Sequence, residues 1–439
     1  MARTRAGLGE QPRLSDYLSA GLLARSCPRD RVERVLAAHG KASERERDLP
    51  AYAVVYYVMA LALYSGVAYG EVLRCLVEGL DFLRDRAQRL RVPGNSAISQ
   101  ARSRLSWEVM ADLAAQGVGP IALSSTRGAW YRGWRVVSLD GTTLEVADEQ
   151  ANARAFGYPG ASRGQARCPQ LRCVGLLENG TRVFYAAHIG PYGRSEIKLA
   201  HEVVAHLDGQ TLCLADRAFF GYPLWAAAQA TGSHLLWRLK RSNLRRCEQA
   251  LSDGSYLTTV YPDRKAQRAQ AHGLRVRIIE YRLRDMDAAQ PAYRLVTTLL
   301  DPDQASAREL APLYHQRWEL ETAFDELKTH LKGGEIRLRS KTPALVRQEF
   351  YGFVLTYFAI RQLIHEAALD RDQDPDRLSF INAVRVLRRK TPLAGAIPPL
   401  SSARAGGRPC SWKWPMRRSS PAVACHVRVP YDVKCPGGR

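Results

Sequence analysis

Two short apolar runs that each end in aspartate decide the fold: RVVSLD at residues 135–140 and QTLCLAD at residues 210–216. Runs of this length, rich in Val and Leu, are typical of strands buried inside a sheet. Each acid stands directly before a predicted loop. In open α/β sheets, ligands bind beyond the carboxyl ends of the strands. The pattern therefore predicts that Asp140 and Asp216 line one site.

The elements around these two runs predict the architecture. They are strands at 170–178 and 182–190, a helix at 195–207, a helix at 222–232 and a strand at 234–240. The order strand, strand, strand, helix, strand, helix, strand indicates a ribonuclease-H-like core, an α/β fold with a mixed sheet flanked by helices. Asn179-Gly180 between two strands is a strong hairpin signal, and we prefer this interpretation to the glycosylation motif that Asn179-Gly180-Thr181 also matches.

Composition indicates a folded protein with a polyanionic partner. The 439 residues are 46% hydrophobic and 24% charged, which excludes a chain that is disordered along its whole length. The 64 Lys and Arg exceed the 43 Asp and Glu, the net charge is +21, and only ten of the basic residues are lysine. Because the arginine fork matches phosphate oxygens, nucleic acid is the first hypothesis; GC-rich coding is the alternative explanation. The nine cysteines form no C-x-x-C pair, so we expect neither zinc nor disulfides, and a reduced cytosolic environment.

The uncharged stretch at 51–69 is long enough to span a bilayer. Its five tyrosines, the preceding Pro50 and the amphipathic continuation favour a buried helix of an all-α domain instead. The amino terminus also lacks the apolar segment of a signal peptide. We therefore predict that no membrane is a partner.

Changes in periodicity predict the domain organisation. The predicted units are a helical DNA-binding or assembly domain at 1–128, the first part of the core at 129–240, a β-rich basic insertion at 241–300, the remainder of the core with C-terminal helices at 301–395, and a basic, disordered tail at 396–439. The strands of the insertion are expected to be antiparallel, with one wet, basic face. In the first unit, a short helix with Arg102 and Arg104 either contacts DNA phosphates or presents a solvated charged surface.

A later helix, predicted to begin near Ala311, carries an unusual stripe. Tyr314, Arg317, Glu321 and Lys328 fall within about 60° of one another at about 100° per residue. Because unpaired charges are costly to bury, this stripe predicts a phosphate-facing surface with one metal ligand. An exposed face with an Arg317–Glu321 ion pair is the alternative. Asp325 also falls near this face, so the spacing alone does not single out Glu321.

Three acids, Asp140, Asp216 and one on this helix, match the needs of phosphodiester chemistry. Two Mg²⁺ ions about 4 Å apart stabilise both the attacking and the leaving oxygen, and Mg²⁺ needs only a few protein carboxylates beside water and phosphate. One aspartate at a strand end means little. Three acids in this arrangement are moderately specific for a two-metal nuclease or transferase.

Three motifs resemble those of the DDE transposases of bacterial insertion elements, specifically the insertion-sequence-four family. They are SLDGTTLEVADEQANARAFG at 138–157, LADRAFFGYPLW at 214–225 and the full Y-x2-R-x3-E-x6-K spacing of Tyr314, Arg317, Glu321 and Lys328. The N-terminal stretches PAYAVVYYVMALALY and SAISQARSRL also resemble that family. The similarity covers roughly residues 10–395.

The resemblance implies roles for individual residues. Asp140, Asp216 and Glu321 are implied as the metal-binding triad, which favours Glu321 over Asp325, and the DGT context favours Asp140 over the nearby Asp148. The implied DNA contacts are Tyr314, Arg317 and Lys328 on the phosphate, Arg217 as a backbone contact, and an aromatic that receives a flipped base, for which Trp237, Tyr256 and Tyr261 are candidates. The strand-rich insertion is implied to support a DNA hairpin intermediate.

The function implied is metal-dependent DNA cleavage and strand transfer at the ends of an insertion element. Two Mg²⁺ ions, replaceable by Mn²⁺, are the implied cofactors. The implied partners are double-stranded terminal repeats, target DNA and a second subunit in a homodimer, in the cytoplasm at the bacterial nucleoid. The alternatives are a DNA-binding remnant without activity and a general ribonuclease-H-like nuclease. The tail at 401–439 departs from the family, and a shifted reading frame is one hypothesis for it.

Overall fold

The computed structural model describes residues 21–43, 49–64, 66–74, 76, 93–161, 164–240, 246–282, 293–316, 323–324, 326 and 337–388. Within these ranges the labelled helices are α1 (Arg29–Ala38), α2 (Ala51–Leu63), α3 (Asn95–Leu105), α4 (Trp107–Gly117), α5 (Gln150–Phe156), α6 (Glu196–Val204), α7 (Tyr222–Ala230), α8 (Arg264–Arg268), α9 (Ala307–His315), α10 (Pro343–Leu369) and α11 (Phe380–Arg388). The strands are β1 (Trp130–Tyr131), β2 (Trp134–Val146), β3 (Gly160–Ala161), β4 (Gly164–Gln165), β5 (Gln170–Glu178), β6 (Val183–Pro191), β7 (Thr211–Ala215), β8 (His234–Arg238), β9 (Gln249–Ala250), β10 (Tyr256–Val260), β11 (Leu274–Tyr281), β12 (Tyr293–Thr297) and β13 (Arg337–Leu338).

One large mixed sheet organises the molecule. Its strand order is β6-β5-β2-β7-β8-β12-β11-β10-β9. Strand β5 pairs antiparallel with both β2 and β6, whereas β7 pairs parallel with both β2 and β8. Helices α6 and α7 connect β6 to β7 and β7 to β8, as the alternation of periods predicts. The predicted α/β fold with a ribonuclease-H-like core is confirmed.

Strand β2 is longer than the predicted run at 135–140. It continues to Val146, because residues 137–145 stay paired with β5. Asp140 therefore lies in the middle of β2 and not at its end, which corrects the prediction. The parallel pairing with β7, however, ends at Leu139 opposite Ala215. Asp140 is thus the first residue of β2 beyond the end of its parallel partner.

The insertion extends the core sheet. Strand β12 pairs antiparallel with β8, and β11, β10 and β9 follow in order. The predicted antiparallel β structure is confirmed, but the expected single wet, basic face is wrong for Arg277, which is fully buried. Its guanidinium donates to the carbonyls of Leu299 at 3.2 Å and Ala305 at 2.6 Å and pairs with Asp253. Burial of a guanidinium is tolerable because each of its three nitrogens donates to an acceptor.

Helices from the two ends of the sequence form a second core. Helix α2 is buried along almost its whole length, which confirms the predicted core helix. It packs along α10, where the Thr356 hydroxyl donates to the Met59 carbonyl at 2.8 Å. Within the described ranges, every helix is too short or too polar to cross a bilayer.

Arg102 in α3 joins this second core instead of facing DNA. It is 3% exposed and donates to Gln348 at 3.0 Å and to Ser340 at 3.0 Å. The hypothesis that Arg102 contacts DNA phosphates is therefore wrong, because its side chain is buried and donates inside the protein. Helix α3 ends at Leu105, since Ser106 has a positive φ of 70° and begins α4 as its cap.

Candidate active site

Asp140 and Asp216 are neighbours across the parallel pair β2–β7. The last register pair of these strands is Leu139 opposite Ala215, and the two acids are the next residue on each chain. Adjacent strands lie about 4.8 Å apart, and paired residues of parallel strands point to the same face. The backbones of the two acids are therefore adjacent at the end of β7.

The surroundings of the two acids fit a hard divalent cation. The backbone amide of Gly141 donates to Oδ1 of Asp140 at 2.8 Å, which orients that carboxylate. Oδ1 of Asp216 is buried and has no hydrogen-bond partner among the described residues. A buried carboxylate oxygen without a donor is costly unless a cation meets it. Oxygen atoms of closely spaced carboxylates are the ligands that Mg²⁺ prefers.

The two acids lie on one particular face of the sheet. Along β2, Val137 and Leu139 pack into one hydrophobic cluster, whereas Val136 packs into another. Since side chains alternate along a strand, Val136, Ser138 and Asp140 share the second face, which we call the acid face. Leu212 and Leu214 of β7 contribute to the same cluster as Val136, so alternation also places Asp216 there.

Helix α9 covers the acid face beside the two aspartates. Leu310, Ala311 and Tyr314 are buried in the same cluster as Val136. The Tyr314 hydroxyl donates to the carbonyl of Ala215 at 3.3 Å. The sequence predicted that this helix begins near Ala311, but it begins at Ala307. The first residue of the predicted stripe thus contacts the strand end that carries the second acid.

Charged hydrogen bonds hold α9 at its first turn. Asp253 accepts from the Ala307 amide at 2.8 Å, and Glu309 accepts from Tyr131 at 2.8 Å and Arg132 at 2.9 Å. Burial acts to raise the pKa of Asp253, but hydrogen bonds from Ser255 and Ala307 and the charge of Arg277 lower it overall. The hydrogen bond from Tyr131, with Arg132 beside it, lowers the pKa of Glu309. A carboxylate at a helix amino terminus also complements the helix dipole.

The hairpin turn between β5 and β6 touches the chain just beyond α9. The Asn179 side chain accepts from the Ser138 hydroxyl at 2.8 Å and donates to the Gln316 carbonyl at 3.3 Å. Asn179 is fully buried. Asn179-Gly180 is a turn, as predicted, but no sequence pattern indicated that the Asn179 side chain joins β2 to the end of α9.

Phe324 lies on the side of β2 opposite to α9, where it contacts β6. Phe324 packs edge-on against Phe184 of β6 with ring centroids 5.5 Å apart. Glu326 is 1% exposed and pairs with Arg182 at 3.3 Å and with Arg361. Tyr314 therefore contacts β7 on one side of β2, Phe324 contacts β6 on the other side, and Glu321 lies between them in the sequence.

Several predicted site residues lie outside the described part of the chain. They are Arg317, Glu321 and Lys328, together with the alternative acid Asp325 and the tail at 396–439. Among the described residues, no three His, Cys, Asp or Glu side chains are grouped closely enough to hold a metal ion. The described portion of the predicted triad is the pair Asp140 and Asp216.

The predicted DNA contacts differ in accessibility. Arg217 is exposed directly after Asp216, as a backbone contact requires. Trp237 is fully buried against Trp225 at 5.1 Å, so the expectation that it contacts DNA is wrong. Tyr256 is also buried, which leaves Tyr261 as the accessible member of the three aromatic candidates. Tyr314 is 3% exposed, and its hydroxyl on Ala215 indicates support of the site rather than direct DNA contact.

Comparisons with known proteins identify the family of this chain. The family model described as "Transposase DDE domain" matches residues 132–359, and the model described as "Insertion element 4 transposase N-terminal" matches residues 17–115. "Transposase InsG for insertion sequence element IS4" of Escherichia coli K12 is 28% identical over 395 residues, 88% of this chain and 84% of that protein. "Putative transposase InsZ" of the same strain is 25% identical over 229 residues, 50% of this chain and 71% of that protein.

Among solved structures, "Cryo-EM structure of piggyBac transposase synaptic complex with hairpin DNA" aligns with 84% of this chain and 79% of that chain, with 12% identity and a TM-score of 0.45. The sequence matches cover both the helical amino-terminal part and the sheet that carries the paired aspartates. The chain belongs to the insertion-sequence-four family of DDE transposases.

Proposed function

We propose that this transposase cleaves and transfers DNA strands at the ends of an insertion element, with Asp140, Asp216 and Glu321 as the carboxylates that hold two Mg²⁺ ions. The observation that supports it best is the side-by-side placement of Asp140 and Asp216, one with an oriented carboxylate and the other with a buried oxygen that lacks a donor. Mn²⁺ would occupy the same oxygen ligands.

When bound, a pair of divalent ions stabilises the attacking and leaving oxygens of a phosphodiester. The protein's own residues provide the alignment. Gly141 fixes the rotamer of Asp140, and Tyr314 ties α9 to the carbonyl that precedes Asp216. In this proposal Glu321 completes the ligand set. Such a preorganised site needs no covalent enzyme intermediate.

DNA is the substrate that the family acts on, and the charge of this chain suits it. A net charge of +21 favours association with a polyanion, and such binding weakens as salt rises. We assign Arg317, Lys328 and the exposed Arg217 to phosphate contacts. Joining two element ends in one complex requires two active sites, so we propose a homodimer on DNA that works at the nucleoid.

The test uses the purified chain and duplexes made from the DNA that flanks this gene, in which terminal inverted repeats are to be identified first. With Mg²⁺, we expect cleavage at the repeat and joining to a target duplex. The substitutions Asp140→Asn, Asp216→Asn and Glu321→Gln should each lower the cleavage rate by at least about 100-fold with repeat binding retained. Removal of divalent ions with EDTA should stop cleavage, and added Mg²⁺ should restore it.

Asp148→Asn is the matched control for these substitutions. Asp148 is an exposed acid eight positions after Asp140, and it accepts from Tyr158 at 2.6 Å. Its replacement should leave the cleavage rate nearly unchanged. Equal cutting of duplexes without the repeat would identify a general nuclease instead. Undiminished cleavage by Asp140→Asn or Asp216→Asn would refute the assigned site.

A further inference from the structure

We propose that the turn Glu178–Arg182, which we call the anchor turn, positions the stretch 317–325 relative to the strand that carries Asp140. This inference rests on the proposed function, in which that stretch supplies the third carboxylate. The anchor turn contacts the chain on both sides of the stretch, through Asn179 at one end and Arg182 at the other. Its residues act through Glu321 and are positioning residues.

Asn179 joins the strand of the first acid to the beginning of the stretch. Its amide donates to the Val136 carbonyl at 3.0 Å, and its side chain accepts from Ser138 at 2.8 Å. Ser138 lies on the acid face of β2, two residues before Asp140. The same side chain donates to the carbonyl of Gln316, which directly precedes the stretch. One buried side chain thus sets the distance between the two segments.

Arg182 holds the other end of the stretch. Its guanidinium pairs with Glu326 at 3.3 Å and with Asp376 at 2.9 Å. Glu326 is also paired with Arg361, so its carboxylate lies between two buried cations. The Tyr357 hydroxyl donates to the Arg182 carbonyl at 2.9 Å, which holds the arginine backbone against α10. Removing one member of a buried charge network leaves the others uncompensated.

The anchor turn is itself firmly held. Glu178 is fully buried and accepts from the amides of Ile121 at 2.9 Å and Ala122 at 3.0 Å. Gly180 has a φ of +80°, and a Cβ there would lie 2.5 Å from the Arg127 carbonyl oxygen. Only glycine combines that dihedral with that close approach. Because the anchor turn is rigid, it can hold the segments that it contacts at a constant distance from each other.

Active sites tolerate only small displacements of a catalytic group. Misplacing a catalytic group by about 1 Å can cost about 100-fold in rate. Loss of a group that orients a metal ligand typically weakens metal binding about 10- to 100-fold. The anchor turn is the described element that contacts the acid-face strand, Gln316 and Glu326 together, so its loss should act on the metal site through Glu321.

The experiment is a double-mutant cycle with Mn²⁺ as the probe. Electron paramagnetic resonance of free Mn²⁺ gives its affinity for the complex with uncleaved terminal-repeat duplex, and single-turnover cleavage is measured in parallel. We expect Asn179→Ala to weaken Mn²⁺ binding about tenfold. In a Glu321→Ala background the same substitution should change the affinity by less than about twofold, since residues that act through one another are not additive.

Asn152→Ala is the matched control. Asn152 is another fully buried asparagine, and its side-chain amide donates to the carbonyls of Ala147 and Ser340, both at 3.0 Å. It should lower the melting temperature much as Asn179→Ala does. Its effect on Mn²⁺ affinity should be the same with and without Glu321.

Glu326→Gln tests the other end of the stretch and keeps the shape of the side chain. It should show the same non-additive effect on Mn²⁺ affinity, and it can replace Asn179→Ala in the cycle if that variant is too unstable to purify. Equal weakening by the anchor-turn variants in both backgrounds, or none in either, would overturn the inference alone. If Glu321→Ala itself left Mn²⁺ affinity and cleavage intact, the proposed function would fail first, and the inference with it.

Discussion

Close packing leaves no room for a Cβ atom at the position beside Asp140 on the acid face. Gly175 is the register partner of Asp140 in β5. A Cβ on Gly175 would lie 2.5 Å from the ring of Phe184 and 3.1 Å from the Tyr185 carbonyl. Phe184 is fully buried and supports Phe324. Glycine is needed here for the close approach of an aromatic ring.

We therefore expect Gly175→Ala to lower the free energy of unfolding by about 1–3 kcal/mol through overpacking. Urea denaturation followed by circular dichroism measures the loss. Adding Phe184→Leu, which removes the crowding ring atoms, should recover part of it.

Gly119→Ala serves as the comparison, because no atom lies within 4 Å of the position of its Cβ. That change should stay within about 0.5 kcal/mol. If Gly175→Ala were as mild as Gly119→Ala, the close packing of Phe184 on β5 would be disproved.

At the scale of elements, the insertion holds the helix that covers the acid face. Asp253, from the insertion, accepts from the first amide of α9 and neutralises the buried Arg277. Asp253→Ala should cost about 3 kcal/mol, since it leaves a buried guanidinium without its counter-charge. The loss would be measured as a shift of the urea midpoint at constant slope.

Asp263→Ala separates the buried pair from simple capping. Asp263 caps α8 by accepting from the Ala266 amide at 2.8 Å, and it is exposed. Loss of such a cap costs about 1 kcal/mol. Equal effects of the two substitutions would show that the Arg277 pair adds nothing to the anchoring of α9.

The element scale also shows what the sequence could predict. Apolar runs that end in aspartate predicted Asp140 and Asp216 as neighbours, because strand order and parallel pairing follow from local periodicity and connection rules. The continuation of β2 past Asp140 was missed, because residues 141–146 alternate only weakly between polar and apolar. The side chains of Asn179 and Arg182 were also missed, since their partners lie 137 and 144 positions away. No local pattern encodes contacts of that separation.

For the whole molecule, burial of histidines links stability to pH. Burial lowers the pKa of His206, with His188 beside it, and lowers the pKa of His234. Burial also lowers the pKa of His365, although Glu178 and Glu366 act in the opposite direction. His206 follows α6, His234 is in β8 and His365 is in α10, so the effect is spread over both cores.

Each of these histidines binds a proton less readily in the folded chain than in the unfolded chain, whose histidine pKa is about 6.5. The stability they contribute is present above that value and is lost as the pH falls through it, because the unfolded state then takes up more protons. We expect the melting temperature to fall steadily from pH 7.5 to pH 5.5. His365→Gln, which can keep the 2.8 Å contact with Thr126, should make the decline shallower. His201→Gln, at an exposed position of α6, should leave its slope unchanged. A melting temperature that stayed flat over this range, or a decline untouched by His365→Gln, would show that neutral histidine at position 365 is not what the fold requires.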